Sequence, residues 1–162
     1  MLTPYPGKLI DDETGFRVLK CYIYKFIKRN IKKRPRFDVK EMRFSQKKYY
    51  WFNTLRPMFG AYHNEKNIEP FHNLKDETFI SDEKKIYFMP QYYQSKNLAK
   101  RNSYIYCCNG AELKEYFSSM KISDLQNITI FNSSFTWALD LFDDTLPHPK
   151  NEMDILIYVK RP

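Results

Sequence analysis

Between residues 11 and 35 the apolar positions recur with the spacing of one helical face. At about 100° per residue, Phe16, Leu19, Ile23, Phe26, Ile27 and Ile31 gather on one side, while Lys25, Lys28, Arg29, Lys32, Lys33 and Arg36 recur on the other. Asp11, Asp12 and Glu13 stand where a helix N-terminus favours negative charge, and Lys32, Lys33 and Arg34 stand where its C-terminus favours positive charge. Pro35 restricts Arg34 and ends the run. The pattern predicts an amphipathic helix with a buried stripe and a basic outer face, flanked by Tyr22 and Tyr24.

The pattern then loosens. Phe37, Val39, Met42 and Phe44 alternate imperfectly, as a short strand or an extended connector. Ser45 can cap a second helix over Gln46–Phe59 whose last turn Pro57 disturbs. From Gly60 to Asn73 the chain reads as a polar loop, Ser81-Asp82-Glu83 as a short helix start, and Ile86–Met89 as a strand that Pro90 closes. Residues Gln91–Asn102 form a polar connection. The second half predicts a strand over Ser103–Cys108, a helix over Gly110–Met120 with Leu113, Tyr116 and Phe117 inward, and a strand over Ile128–Phe131. Asn132-Ser133-Ser134 turns the chain into Phe135–Phe142. There Phe135, Trp137, Leu139 and Leu141 alternate with Thr136, Ala138 and Asp140, the period of a half-buried strand. A loop over Asp143–Glu152 and a terminal strand over Asp154–Lys160 complete the reading. Helices first and an antiparallel meander later predict one α+β domain over residues 1–162, with N-terminal helices packed on a sheet built mainly by the C-terminal half.

Composition supports a folded chain, since 13 Tyr, 13 Phe and 2 Trp accompany only 4 Gly in 162 residues. The net charge of +8 is uneven. Arg17 to Lys48 holds 13 Lys or Arg against Asp38 and Glu41, a local balance of +11, which leaves the remainder near −3. Such a field attracts phosphate backbones, anionic lipid or an acidic protein. Cys21, Cys107 and Cys108 are odd in number, and the last two are adjacent, which points to a reducing cytoplasmic compartment. Neither a signal peptide nor a membrane-spanning run is expected.

Candidate chemistry is sparse. His63, His72 and His148 fall in predicted loops without the spacing of metal ligands, so no metal or cofactor is expected. Cys107 and Cys108 sit in an apolar strand that does not favour a thiolate. Glu112-Leu113-Lys114 has the letters of a nuclease Glu-x-Lys, but on a helix those two side chains diverge. Asp140, Asp143, Asp144 and His148 form an acidic grouping at a strand end that could hold magnesium, and Asp140, Asp143, Asp144, Glu152 and Asp154 an acidic edge that could meet a partner. The basic face, followed by Lys47, Lys48, Tyr49 and Tyr50, mixes cations with aromatics as nucleic-acid surfaces do. A solubilising role explains the same residues without any partner.

The stretch Ser103-Tyr-Ile-Tyr, Gly110-Ala-Glu-Leu113, Lys121-Ile-Ser-Asp-Leu125 and Ile128-Thr-Ile-Phe-Asn-Ser-Ser-Phe-Thr-Trp137 resembles the C-terminal part of small bacterial immunity proteins of polymorphic-toxin and contact-dependent inhibition systems. It departs from them after the Trp strand, where Asp140-Leu-Phe-Asp-Asp144 stands. The resemblance implies a strand, helix and Phe-x-Trp strand that serve as scaffold, and a non-enzymatic protein that neutralises a cognate toxin by stoichiometric contact. Contact would run through the stripe Lys25, Lys28, Arg29, Lys32, Lys33 and Arg36, or through the edge Asp140, Asp143, Asp144 and Glu152. Nucleic-acid binding is the alternative expectation and a metal-dependent nuclease the third.

Overall fold

The computed structural model describes residues 4–30, 68–74, 76–90, 105–120, 127–141 and 156–162. The expected strand or connector at Phe37–Phe44, the second helix at Gln46–Phe59 and the connection at Gln91–Asn102 lie outside them. The described elements are β1 (Lys8–Leu9), α1 (Asp12–Asn30), β2 (Ile68–Pro70), a 3-10 turn (Phe71–Leu74), α2 (Thr78–Ser81), β3 (Ile86–Pro90), β4 (Tyr106–Cys108), α3 (Gly110–Ser119), β5 (Ile128–Asn132), β6 (Ala138–Leu141) and β7 (Leu156–Lys160). The α+β class is as the pattern predicts.

Six strands of three or more residues, with two-residue β1 at one edge, form a single sheet in the order β1-β4-β3-β5-β6-β7-β2. Every pairing is antiparallel. β5 and β6 are joined as the expected hairpin, with Ile128 opposite Leu141 and Phe131 opposite Ala138. Both β4 and β5 pair with β3, one on each side, so α3 carries the chain across β3 from one to the other.

Helices cover both faces. On one face Leu113, Tyr116 and Phe117 of α3 and Ile80 of α2 pack with Ile86, Phe88, Ile130, Trp137, Leu139 and Val159. On the other, Val18, Leu19, Tyr22 and Ile23 of α1 pack with Tyr87, Met89, Phe131, Ala138 and Tyr158. This alternation sends odd and even positions of each strand into different cores. Burial of both faces leaves strands such as Ile86–Pro90 and Ile128–Asn132 buried at every position.

The helix starts follow local chemistry. Asp11 caps α1, its carboxylate accepting from the Thr14 backbone N–H and the Thr14 hydroxyl, each at 2.8 Å. The backbone hydrogen bond from Thr14 is the main reason that the Asp11 carboxyl is held below its usual range. Asn109 and Glu112 form a reciprocal capping box at α3. Gly110 is required for a different reason. A Cβ there would lie 1.9 Å from the Ile80 carbonyl oxygen, so only glycine lets α3 start against α2.

Several expectations change. Tyr22, expected beside the basic face, is fully buried and stacks on Phe131 with ring centroids 4.0 Å apart. Its ring extends the apolar stripe toward the hairpin. The polar stretch Gly60–Asn73 contains strand β2, which pairs with β7 and is therefore invisible to local pattern. Ser81 ends a helix rather than starting one, and the Asp82 and Glu83 backbone N–H groups bond back into α2. Phe135 leaves the period-two pattern. It takes φ 56°, in the left-handed region, and packs on the α1 side with Phe131 and Tyr22.

Candidate functional site

The basic stripe is described only in part. Lys25 is exposed on α1, and Lys28 and Arg29 lie in the same helix, where their side chains are outside the description. Lys32, Lys33 and Arg36 lie beyond the described residues. The helix also exposes Arg17, Asp12 and Glu13.

Of the expected acidic edge only Asp140 lies among the described residues. Asp140 is 0% exposed, on the α1 side of the sheet, where its Oδ1 accepts from the Thr129 hydroxyl at 2.9 Å across the β5–β6 ladder. A partner cannot touch it without parting the sheet from its cover. The physical reason is the second helical layer: positions that face solvent in a one-sided sheet are here a second core. Asp143, Asp144 and Glu152 lie outside the described residues.

The remaining candidate chemistry settles into structure. Glu112 and Lys114 are on α3, and the Glu112 carboxylate accepts from the Asn109 backbone N–H at 3.1 Å. Cys108 is buried in the α3-side core and its thiol is pushed up to about 12 by burial. Burial raises Cys107 as well, against the opposing pull of Lys85. Neither is poised as a thiolate. Among the described residues no group of three His, Cys, Asp or Glu side chains could hold a metal ion, and no helix is long and apolar enough to cross a membrane.

The most organised polar structure is one that the pattern marked only as a turn. Asn132 is 2% exposed at the end of β5. Its Oδ1 accepts from the backbone N–H groups of Thr136 at 2.8 Å and Trp137 at 3.2 Å, and its Nδ2 donates to the hydroxyls of Ser134 at 2.8 Å and Thr136 at 2.7 Å. One buried amide therefore fixes the whole turn. The positive φ of Phe135 turns its ring to the α1 face. Ser134, Thr136 and Trp137 line an open hollow of about 280 Å³ on the other side, closed opposite by Thr78, Asp82 and Glu83. Trp137 is 1% exposed, packs edge-on against Phe79 at 5.3 Å, and its indole N–H donates to no group among the described residues.

The hollow is acidic. No hydrogen bond or ion pair engages the Asp82 and Glu83 side chains among the described residues. Lys85 lies 5.8 Å from the Tyr87 ring centroid, Arg161 binds Glu69 at 2.6 Å and Glu77 at 2.7 Å, and Lys84, beside Glu83 in sequence, is exposed. The hydrogen bonds that Arg161 donates to Glu69, then to Glu77, raise its pKa further. That clamp ties the end of β7 to β2 and to the start of α2. A second hollow of about 250 Å³ lies between Pro4–Gly7 and the outer side of α3, lined by Glu112, Glu115 and Tyr116. Sequence reasoning missed the first hollow because its two walls, residues 78–83 and 132–137, are some fifty positions apart. The cue that was available is the Asn-Ser-Ser-Phe-Thr-Trp run between two strands.

No family model, no curated protein and no solved structure matches this chain.

Proposed function

We propose that the chain is a cytoplasmic immunity protein that binds and neutralises a cognate toxin domain by stoichiometric contact. The observation that carries this reading is where the organised polar groups go. Asn132, Asp140, Thr129 and Arg161 each hold one structural element to another, and Glu112 closes the capping box of α3, within a sheet covered on both faces. The result is a stiff scaffold that presents charged surface, as recognition with little ordering cost requires. The segment that resembles immunity proteins runs through β4, α3, β5 and the turn into β6, all of which serve as packed framework here. Its charge is divided, with cations concentrated between Arg17 and Lys48 and carboxylates at Asp82 and Glu83.

Co-expression with the product of the neighbouring gene tests the reading. A stable one-to-one complex and restored growth are expected; a toxin that neither binds nor loses its effect overturns it. The local balance of +11 between Arg17 and Lys48 favours nucleic-acid binding as the second reading. Under that reading the protein binds RNA or DNA with steep salt dependence, and Lys28→Glu, Lys32→Glu and Lys33→Glu together abolish retention. A protein that stays unbound at low salt removes it. Nuclease activity, the third reading, requires magnesium-dependent loss of intact RNA or DNA.

A further inference from the structure

We propose that residues 4–10 are a displaceable strap, and that the edge of β4 beneath them receives an extended segment of a protein partner carrying a tyrosine or phenylalanine. The strap wraps the sheet edge from one core to the other. Tyr5 is buried in the α3-side core, its ring centroid 5.3 Å from that of Phe88 and 5.2 Å from that of Tyr106, while Ile10 packs against the α1-side core. Between these anchors Gly7, Lys8 and Leu9 are exposed, Leu9 at 43%. A buried aromatic ring joined to a short, solvated strand is the way a sheet edge holds an extended peptide, and here the chain supplies that peptide itself.

The strap uses the edge incompletely. β4 pairs with β3 through Tyr106, Cys107 and Cys108, but with β1 through Tyr106 and Cys107 alone, and the Ile10 N–H adds a bond to the Ile105 carbonyl at 2.9 Å. Gly7 stands where a partner for Cys108 would stand. Its φ of 75° bends the strap out of the ladder and so close to β4 that any Cβ would collide with the Cys107 carbonyl oxygen. Pro4 and Pro6, on either side of Tyr5, have no N–H to donate. A regular strand without the bend runs opposite Cys108 as well and gains pairing that the strap gives up. The other edge of the sheet is closed by contrast: β2 pairs three residues with β7, contains Pro70, and is pinned where Arg161 binds Glu69. Asp11 caps α1 directly after the strap, so the hinge falls at Ile10 and the helix keeps its start when the strap lifts. Because the strap is tethered, it competes at high effective concentration and admits only a segment that binds the edge better than it does.

The device goes beyond the immunity reading, and two measurements on the full chain test it without the toxin, so either idea can fail alone. In hydrogen exchange of the wild type, the Ile10 amide should exchange about a hundredfold faster than the amides that pair β3 with β5. Equal rates mean that the strap leaves only on global unfolding, and they overturn the proposal. The second measurement titrates the fluorescein-labelled peptide Pro-Tyr-Pro-Gly-Lys-Leu-Ile, the sequence of residues 4–10, by anisotropy. Tyr5→Ala withdraws the cis ring from its socket, so this variant should bind the peptide about tenfold more tightly than wild type does. The same peptide with alanine in place of its tyrosine should not bind. Gly7→Ala, whose added Cβ the Cys107 carbonyl excludes, lifts the strap without removing the ring and should behave as Tyr5→Ala does, which covers the case that Tyr5→Ala fails to fold. A folded variant that ignores the peptide, or that takes the tyrosine and alanine peptides alike, overturns the proposal.

Discussion

The two faces of the sheet are built on different principles. Against α3 the core is mainly aliphatic around Trp137, and it is closed by devices that act over a few residues: the Asn109–Glu112 capping box and the glycine that lets α3 touch α2. Against α1 the core mixes Val18, Leu19 and Ile23 with a stack of Tyr22, Phe131 and Phe135, and it contains a buried carboxylate and hydroxyl pair, Asp140 with Thr129. A dry face depends on shape, whereas a face with a buried polar pair depends on each partner being satisfied. The lesson is that the α3 face supplies framework and the α1 face supplies specificity of arrangement.

The comparison can be broken at its largest contribution first. Trp137→Ala removes a fully packed side chain from the α3-side core and should lower unfolding free energy by about 3–5 kcal/mol. Urea unfolding measures it, and a loss below about 1 kcal/mol would mean that this face is not close-packed. On the α1 face Thr129→Val keeps the volume but removes the hydroxyl that donates to Asp140. A loss of about 1–3 kcal/mol is expected, because the carboxylate stays buried with one bond fewer. No change on substitution would show that the polar pair is incidental and that both faces are governed by packing alone.

The smallest effect lies at the entrance to α1 and depends on pH. The Asp11 carboxyl titrates below its ordinary value in the folded state, so its contribution is complete above the usual carboxylate range and is lost as pH falls through the depressed native value. Thermal melts should therefore show wild type above Asp11→Ala near neutrality, with the gap narrowing in strong acid. A gap that is independent of pH would assign the capping to geometry rather than charge.

Legibility in the sequence differs between the same two faces. Leu113, Tyr116 and Phe117 are readable because the helical period places them on one face, whereas the Asn109–Glu112 capping box emerges only in the structure. Strands β3, β5 and β6 are readable from short apolar runs between turn residues. Tyr22 was misplaced because an amphipathic side chain at the margin of a stripe reads as surface, and only Phe131 from a strand over a hundred positions away shows that it is core. Asp140 looked like an exposed edge for a related reason: its strand position opposes Leu139, and period alone does not say whether the opposite face is wet. The candidate hollow was less legible still, since neither Asp82 nor Ser134 has any local feature that pairs it with the other.

By itself, the sequence determined the α+β class, the first helix, the Gly110 helix and the hairpin, because these follow from periods and turn signals that act within a few residues. The tertiary structure decided which surfaces remained. Covering the second face of the sheet with α1 turned Asp140 and Tyr22 into core, and bringing residues 78–83 against residues 132–137 made the acidic hollow. Both outcomes depend on contacts between distant segments, and no local pattern encodes those.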